Sequence, residues 1–118
     1  MRRRGENISS MEVEDEVNQY PDVLECAVFP VSAEHSEQEV MVVITPQPDV
    51  TIEPEKLIRF LDQRMAYFMI PRYIEFSEAI PKTPTGKMEK YKLRTKGVTS
   101  ETWDRVAAGI TLSRQAPQ

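Results

Sequence analysis

The sequence predicts an α+β fold, in which helices pack on a small three-stranded, mainly antiparallel sheet. Two apolar runs, 22–31 and 39–45, flank a polar segment, and this order favours a β-hairpin. Two other stretches, 9–20 and 51–65, repeat apolar residues at helical spacing. The chain has 118 residues, 40% hydrophobic and 29% charged, which is typical of one globular domain.

The first helix is predicted to begin at Ser9. The Ser9 side chain can accept a hydrogen bond from a free amide of the first turn, and Glu12 can complete a capping box. Ile8 and Val13 occupy the two positions that close a hydrophobic staple. We expect the helix to end before Pro21, because a proline cannot continue it.

The run 22–31 is predicted to be a strand covered on both faces, because apolar residues fill both of its alternating positions. Leu24, Cys26 and Val28 would face one side, and Val23, Ala27 and Phe29 the other. The single cysteine would then behave as a small buried apolar residue. The run 39–45 is predicted to pair with this strand as the second arm of the hairpin.

The second helix is predicted to have Thr51 as its cap and Pro54 in its first turn, where a proline costs no hydrogen bond. Its buried stripe would consist of Leu57, Ile58, Leu61 and Met65. Residues 72–76 form the third predicted strand, and residues 88–96 a short basic segment that can be helical.

Composition excludes several classes of protein. No run of about 18 apolar residues is present, so no membrane span is predicted. The basic start leads into no apolar stretch, so we expect no secretory signal. One cysteine allows neither an internal disulfide framework nor a multi-cysteine zinc site, and no metal ligand set is predicted; a cytoplasmic location is expected. The pI of about 5.1 argues against nucleic-acid binding.

Charge is distributed unevenly along the chain. Residues 5–63 hold 14 acidic and 2 basic side chains, whereas residues 72–96 hold 3 acidic and 7 basic ones. Two interpretations are open. The charges can form an ordinary solvated surface, or the basic region can converge with Arg2, Arg3 and Arg4 on an anion.

The segment "IPKTPTGKMEK", residues 80–90, predicts a stiff protruding turn. Pro81 and Pro84 restrict the backbone, and Gly86 permits a positive φ angle. Lys87 would then project a compact charge on a flexible stem. A phosphate-binding P-loop is excluded, because position 81 is not glycine and Met88 stands where Ser or Thr is required. The alternative is a surface turn with a solvated lysine.

Two motifs together resemble a known family. "RRGENISSMEVED", followed about 70 residues later by "IPKTPTGKMEKYKLR", is similar to the C-terminal domain of adenylate-forming enzymes, which include acyl-CoA synthetases, luciferases and peptide-synthetase adenylation domains. The "GENIS" segment is more similar to the acyl-CoA ligase branch. The resemblance implies a C-terminal lid domain over residues 3–97. An extension, 98–118, would be partly helical and then disordered.

The resemblance also implies a mechanism. A large N-terminal domain would bind ATP, Mg²⁺ and a carboxylic acid, and the C-terminal domain would bring Lys87, on the loop with Gly86, to the carboxylate and the α-phosphate. After acyl-AMP forms, the domain would rotate and place Gly5 against the pantetheine tunnel of CoA. Many relatives have two glycines here, whereas this chain has Arg4 before Gly5.

Two further roles follow from the resemblance, each with an alternative. Phe68 matches an aromatic residue that some relatives direct toward the CoA nucleotide, although Ile70 replaces the basic residue that accompanies it; Phe68 can equally pack into the core. Arg4 can meet CoA phosphates or the large domain, or it can be solvated.

The chain lacks the ATP-binding body of the family, so we expect it to be an excised domain that binds neither ATP nor CoA alone and is inactive alone. Its expected partners are the missing N-terminal domain and a carboxylic-acid substrate. The alternative hypothesis is a free-standing, non-catalytic α+β module with a binding or regulatory role. Upstream sequence and the effect of replacing Lys87 distinguish the two hypotheses.

Overall fold

The computed structural model describes residues 2–3, 6–32 and 38–112, with the backbone alone at residues 2–3 and 6–7. The elements, in chain order, are β1 (Arg2–Arg3), β2 (Glu6–Asn7), α1 (Ser10–Val17), β3 (Val23–Ser32), β4 (Gln38–Pro46), α2 (Pro54–Asp62), a 3₁₀ turn (Tyr67–Met69), β5 (Tyr73–Phe76), α3 (Lys90–Lys96) and β6 (Trp103–Asp104). The α+β class is confirmed.

The main sheet is mixed and has the strand order β3-β4-β5-β6. Strands β3 and β4 form the predicted antiparallel hairpin, with Val28 opposite Val42. Strand β5 lies parallel to β4, since α2 carries the chain back across the sheet before β5 begins. Strand β6 is antiparallel to β5. A separate small hairpin joins β1 and β2.

The prediction of three strands is wrong, because Trp103 and Asp104 add a fourth strand to the sheet. The helical turn expected in the extension is not formed in residues 98–112, where the chain makes β6 and turns. Arg72 stabilises the strand in place of a helix, because its guanidinium donates to the Asp104 carboxylate at 3.0 and 3.2 Å. The predicted disordered tail, 113–118, lies outside the described residues.

Each face of the sheet has its own apolar cluster. On one face, α1 and α2 cover Cys26, Val28 and Ile74. On the other face, Phe29 and Met41 belong to a second cluster that includes Ile80. Successive residues of β3 therefore enter different clusters, which confirms that the strand is covered on both faces.

A register shift corrects the predicted alternation at the start of β3. The shift lies between Val23 and Glu25, and it places Val23 in the same cluster as Cys26 and Val28. Leu24 is consequently 54% exposed. A bulge adds a residue to one strand, so strict alternation fails on its near side.

The predicted Ser9 cap at the start of α1 is confirmed. The Ser9 side chain accepts a hydrogen bond from the Glu12 amide at 3.3 Å. Ile8 and Val13 are both buried in the cluster beneath the helix. The helix ends at Val17, before Pro21.

The predicted cap of α2 is wrong. The helix begins at Pro54, and Glu53, rather than Thr51, occupies the capping position, without a side-chain hydrogen bond. Proline explains the start, because its fixed φ suits the first helical position and it has no amide hydrogen that needs a partner. Leu57, Ile58 and Leu61 are buried as predicted. Met65 follows the helix and packs against the same cluster.

No helix in the part of the chain that the structure describes is both long enough and apolar enough to cross a membrane.

Candidate active-site loop

Residues 80–89, here called the lysine loop, form a tight hairpin closed by their own backbone. The Thr83 amide donates to the Lys87 carbonyl oxygen at 2.8 Å, and the Gly86 amide donates to the Thr83 carbonyl oxygen at 2.9 Å. At the base, the Glu89 amide donates to the Pro81 carbonyl oxygen at 2.8 Å. The predicted turn is thus confirmed, and its stiffness stays a prediction.

Gly86 has a φ of +89°, the left-handed conformation predicted for it. A Cβ atom built on Gly86 would meet no heavy atom within 4 Å. Backbone conformation, rather than lack of space, therefore requires glycine at this position.

Thr83 bonds to the backbone of Lys87, and the sequence analysis did not predict this role for Thr83. Its Oγ1 accepts a hydrogen bond from the Lys87 amide at 3.1 Å and lies 3.1 Å from the Thr85 hydroxyl. Threonine hydroxyls commonly bond nearby backbone amides in turns. The sequence offered one indication of this role, because Thr83 stands four residues before Lys87 inside a predicted turn.

The loop is fastened to the sheet by apolar contacts. Ile80 is 3% exposed and belongs to the same cluster as Phe29 and Tyr73. Met88 and the α3 residue Leu93 pack against that cluster. Apolar anchors before and after the turn therefore hold the loop against the sheet.

The lysines around Lys87 have carboxylate partners. The pairs are Lys82 with Glu25, Lys90 with Glu14, Lys92 with Glu89, and Lys96 with Glu75. Lys87 is exposed, and among the described residues no carboxylate lies within ion-pair distance of its ammonium. The loop therefore presents an ammonium that the described structure leaves to solvent.

These pairs explain part of the uneven charge. Glu14 and Glu25, from the acidic part of the chain, contact Lys90 and Lys82 from the basic part. The two interpretations of the charge pattern considered only solvent and an external anion. Internal pairing between distant segments is a third use, which linear counting of charges does not reveal.

Comparison with known proteins identifies the family. The family model described as the AMP-binding enzyme C-terminal domain matches residues 12–87. The chain is a C-terminal domain of the adenylate-forming superfamily, acyl-CoA ligase branch. It is 37% identical over 92 residues to the mitochondrial medium-chain acyl-CoA ligase ACSF2 of Rattus norvegicus. It is 32% identical over 114 residues to 2-methylpropanoate–CoA ligase CCL4 of Humulus lupulus.

The matches cover most of this chain but only a small part of each relative. The matches include 78% of this chain but 15% of the rat protein, and 93% of this chain but 20% of the hop protein. The structure of the anthranilate CoA ligase AuaEII in complex with anthranoyl-AMP superposes with a TM-score of 0.76 and 28% identity, over 93% of this chain and 20% of that one. The domain therefore spans about a fifth or less of the relatives it matches.

Three further predicted site residues are Gly5, Arg4 and Phe68. Gly5 and Arg4 lie outside the described residues. Phe68 lies in the 3₁₀ turn, packs against the cluster beneath the helices and contacts the Tyr67 ring edge-on, with ring centroids 5.8 Å apart. Phe68 also lines an open groove of about 400 Å³ formed by residues 62–68. Core packing is thus found, and a CoA contact stays a prediction.

Cys26 is buried as predicted. Burial raises the pKa of its thiol to about 12, and the nearby Glu14 carboxylate acts in the same direction. The thiol donates to the Asn18 side-chain oxygen at 3.4 Å. A thiol with so high a pKa is a poor nucleophile at neutral pH.

Two further predictions concern metal and location. Among the side chains that the structure describes, in residues 8–32 and 38–112, no three of His, Cys, Asp or Glu come together in a way that could hold a metal ion. The cytoplasmic location stays a prediction, since the rat relative is named as mitochondrial.

Proposed function

We propose that this domain is the mobile lid of an ATP-dependent acyl-CoA synthetase and that Lys87 takes part in acyl-adenylate formation. The observation that carries the proposal is the exposed Lys87 side chain, on a loop that is closed by its own backbone hydrogen bonds. The chain that carries this loop belongs to the adenylate-forming family. Neighbouring lysines are paired with carboxylates, so Lys87 is the loop lysine most available to a substrate from another domain.

In the first half-reaction, a carboxylate oxygen of the acid attacks the α-phosphate of ATP, and pyrophosphate leaves. The Lys87 ammonium would offset the repulsion between these two anions and stabilise the negative charge that develops on the oxygens around phosphorus. An ionised carboxylate is already the nucleophile, so this step requires no general base. The stiff loop limits the entropy lost when the lysine is positioned.

In the second half-reaction, the CoA thiol loses its proton, attacks the acyl carbon of acyl-AMP and displaces AMP. In this proposal the domain rotates first, and Gly5 lies against the pantetheine tunnel, where a side chain would obstruct the thiol's approach. ATP and CoA are therefore co-substrates. Mg²⁺ accompanies ATP in the large domain, whose residues would hold it.

The proposal includes the absence of activity in the isolated chain. Purified alone, it should release no pyrophosphate from ATP when medium-chain, branched or aromatic acids are supplied. Acid-dependent release of pyrophosphate would contradict the need for the large domain. The acid itself stays open, because the relatives are named for different acids and the acyl pocket of this family belongs mainly to the large domain.

The main test is Lys87→Ala in the full-length protein that carries the ATP-binding domain. We expect acid-dependent ATP–pyrophosphate exchange to fall about 100-fold or more, since removal of one charge-stabilising donor commonly has an effect of that size. The matched control is Lys92→Ala, which removes an exposed lysine that is paired with Glu89. Exchange near the wild-type rate in Lys87→Ala would contradict the role of Lys87.

A further inference from the structure

Two ion pairs bracket the lysine loop and tie it to distant parts of the chain. Before the turn, the Lys82 ammonium lies 2.8 and 2.9 Å from the two carboxylate oxygens of Glu25 on β3. After the turn, the Lys90 ammonium lies 2.5 Å from a carboxylate oxygen of Glu14 on α1. Both carboxylates belong to the first 25 residues. The turn is therefore flanked by two ion pairs whose carboxylates, Glu25 and Glu14, lie outside the loop.

Glu14 makes the more buried of the two contacts and has two partners. The same oxygen, Oε2, accepts a hydrogen bond from the Val28 backbone amide at 2.8 Å. Val28 lies on β3, which is the edge strand of the sheet. One carboxylate thus joins helix α1, the edge of the sheet and the first residue of α3. The side chains of Glu14 and Lys90 are 18% and 32% exposed, so water screens this pair less than a fully exposed one.

The contact between Glu14 and Lys90 affects the lysine loop because Lys90 lies close to Lys87 in the chain. Lys90 is the first residue of α3 and follows Lys87 by three residues, just after the Glu89 amide closes the base of the loop on Pro81. A shift of Lys90 therefore moves the arm of the hairpin that carries Lys87. Because Thr83 holds the Lys87 backbone within the loop, such a shift would move the hairpin as a unit.

We propose that Glu14 is a positioning residue for Lys87, which it aims by holding Lys90 against the sheet edge. The inference rests on the proposed function of Lys87. It assigns an acyl-adenylation role to a helix residue that would touch no substrate itself. The effect should be confined to the half-reaction that uses Lys87, because the proposed thioester half-reaction does not involve this lysine.

The test is Glu14→Gln in the full-length protein. Glutamine keeps an oxygen for the Val28 amide and removes the charge that attracts Lys90. We expect ATP–pyrophosphate exchange to slow on the order of tenfold, less than the roughly 100-fold loss that a 1 Å misplacement can cause. Thioester formation from separately prepared acyl-AMP and CoA should stay within about twofold of the wild-type rate, a barrier change of about 0.4 kcal/mol, because the proposed step does not use Lys87.

Glu16→Gln is the matched control. Glu16 lies on the same helix and contacts Arg64 of the segment after α2 at 2.8 Å, so the change removes one ion pair of α1 without involving the lysine loop. Both half-reactions should keep their wild-type rates. An equal loss in both half-reactions of Glu14→Gln, or no loss in either, overturns the positioning role.

Lys90 provides the second set of variants. Lys90→Gln should reproduce the selective loss, Lys90→Arg should restore nearly full exchange because it keeps the ion pair, and Glu14→Gln with Lys90→Gln should be no slower than either single change. If Glu14→Gln does not fold, the Lys90 variants decide alone, and full exchange activity in Lys90→Gln overturns the inference. If Lys87→Ala also retains full exchange, the proposed function fails; if Lys87→Ala loses exchange and Glu14→Gln does not, only the positioning role fails.

Discussion

The lysine loop and the segment 98–112 flank α3, and neither contains a helix, yet they differ in how they relate to the sheet. The loop is closed by backbone hydrogen bonds of its own, and it leaves Lys87 exposed to solvent. Polar side chains of the later segment form hydrogen bonds to the sheet. Thr99 and Thr102 donate to the Glu75 carboxylate at 3.4 and 2.8 Å.

Further contacts anchor the later segment. Arg105 is 2% exposed, and its Nε donates to the Pro71 carbonyl oxygen at 3.3 Å. The Arg105 amide donates to the Arg72 carbonyl oxygen at 2.8 Å, which continues the pairing of β6 with the strand region before β5. Leu112 is 1% exposed and belongs to the cluster beneath the helices. The difference separates a segment that completes the fold from one that is stiffened for use elsewhere.

The largest expected effect is on the apolar anchor of the later segment. Leu112→Ala should lower the free energy of unfolding of the 118-residue chain by about 2–5 kcal/mol, because it removes buried methyl groups and leaves a cavity. Urea unfolding followed by circular dichroism measures this. Val106→Ala is the control in the same segment, since Val106 is 53% exposed and should change stability by less than about 0.5 kcal/mol. Equal stability of Leu112→Ala and the wild type would mean that the segment is not part of the folded unit.

An intermediate effect is expected at the Glu75 carboxylate. Burial by itself would raise the pKa of Glu75, but the hydrogen bonds from Lys96, Thr102 and Thr99, with the Lys96 charge, outweigh burial and leave the pKa below its ordinary value. The Asp104 carboxylate is similar, because hydrogen bonds from Arg72 and from two backbone amides outweigh burial and lower its pKa.

A lowered folded-state pKa fixes the sign of the pH dependence. The stabilisation is present above the unfolded pKa values, about 4.3 for Glu and 3.9 for Asp, and is lost as pH falls through the folded values. The free energy of unfolding should therefore decline below about pH 4. Glu75→Gln should lower stability at pH 7 by about 1–3 kcal/mol and make the decline shallower. A Glu75→Gln protein with the full wild-type acid dependence would show that this carboxylate is not responsible.

The smallest effect compares two glycines that both have a positive φ angle. Gly86 in the loop and Gly109 in the later segment have φ angles of +89° and +75°, and a Cβ atom would meet nothing within 4 Å at either. Alanine at each should cost about 1–2 kcal/mol of stability through backbone strain alone. In the full-length protein, Gly86→Ala should also slow ATP–pyrophosphate exchange, whereas Gly109→Ala should not. Equal exchange rates in the two variants would remove the functional distinction between the segments.

Much of the candidate loop was predictable because its determinants are local. Pro81, Gly86 and Lys87 lie within seven residues, and the turn they predict is closed by hydrogen bonds within the same segment. The cap at Ser9 is equally local, since its partner is Glu12. Thr51 was a wrong choice of cap because Pro54 starts the helix two residues later than the capping pattern suggested.

By itself, the sequence determined the α+β class, the β3–β4 hairpin, the start of α1 and the turn that exposes Lys87. Each of these depends on side chains a few residues apart, where capping, alternation and backbone restriction act. Only the tertiary structure decided that β6 is a strand and that Glu14 and Glu75 hold Lys90 and Lys96. A two-residue strand has no periodicity to detect, and an ion pair between residues 76 apart, such as Glu14 and Lys90, forms only after the intervening chain has folded and brought them together.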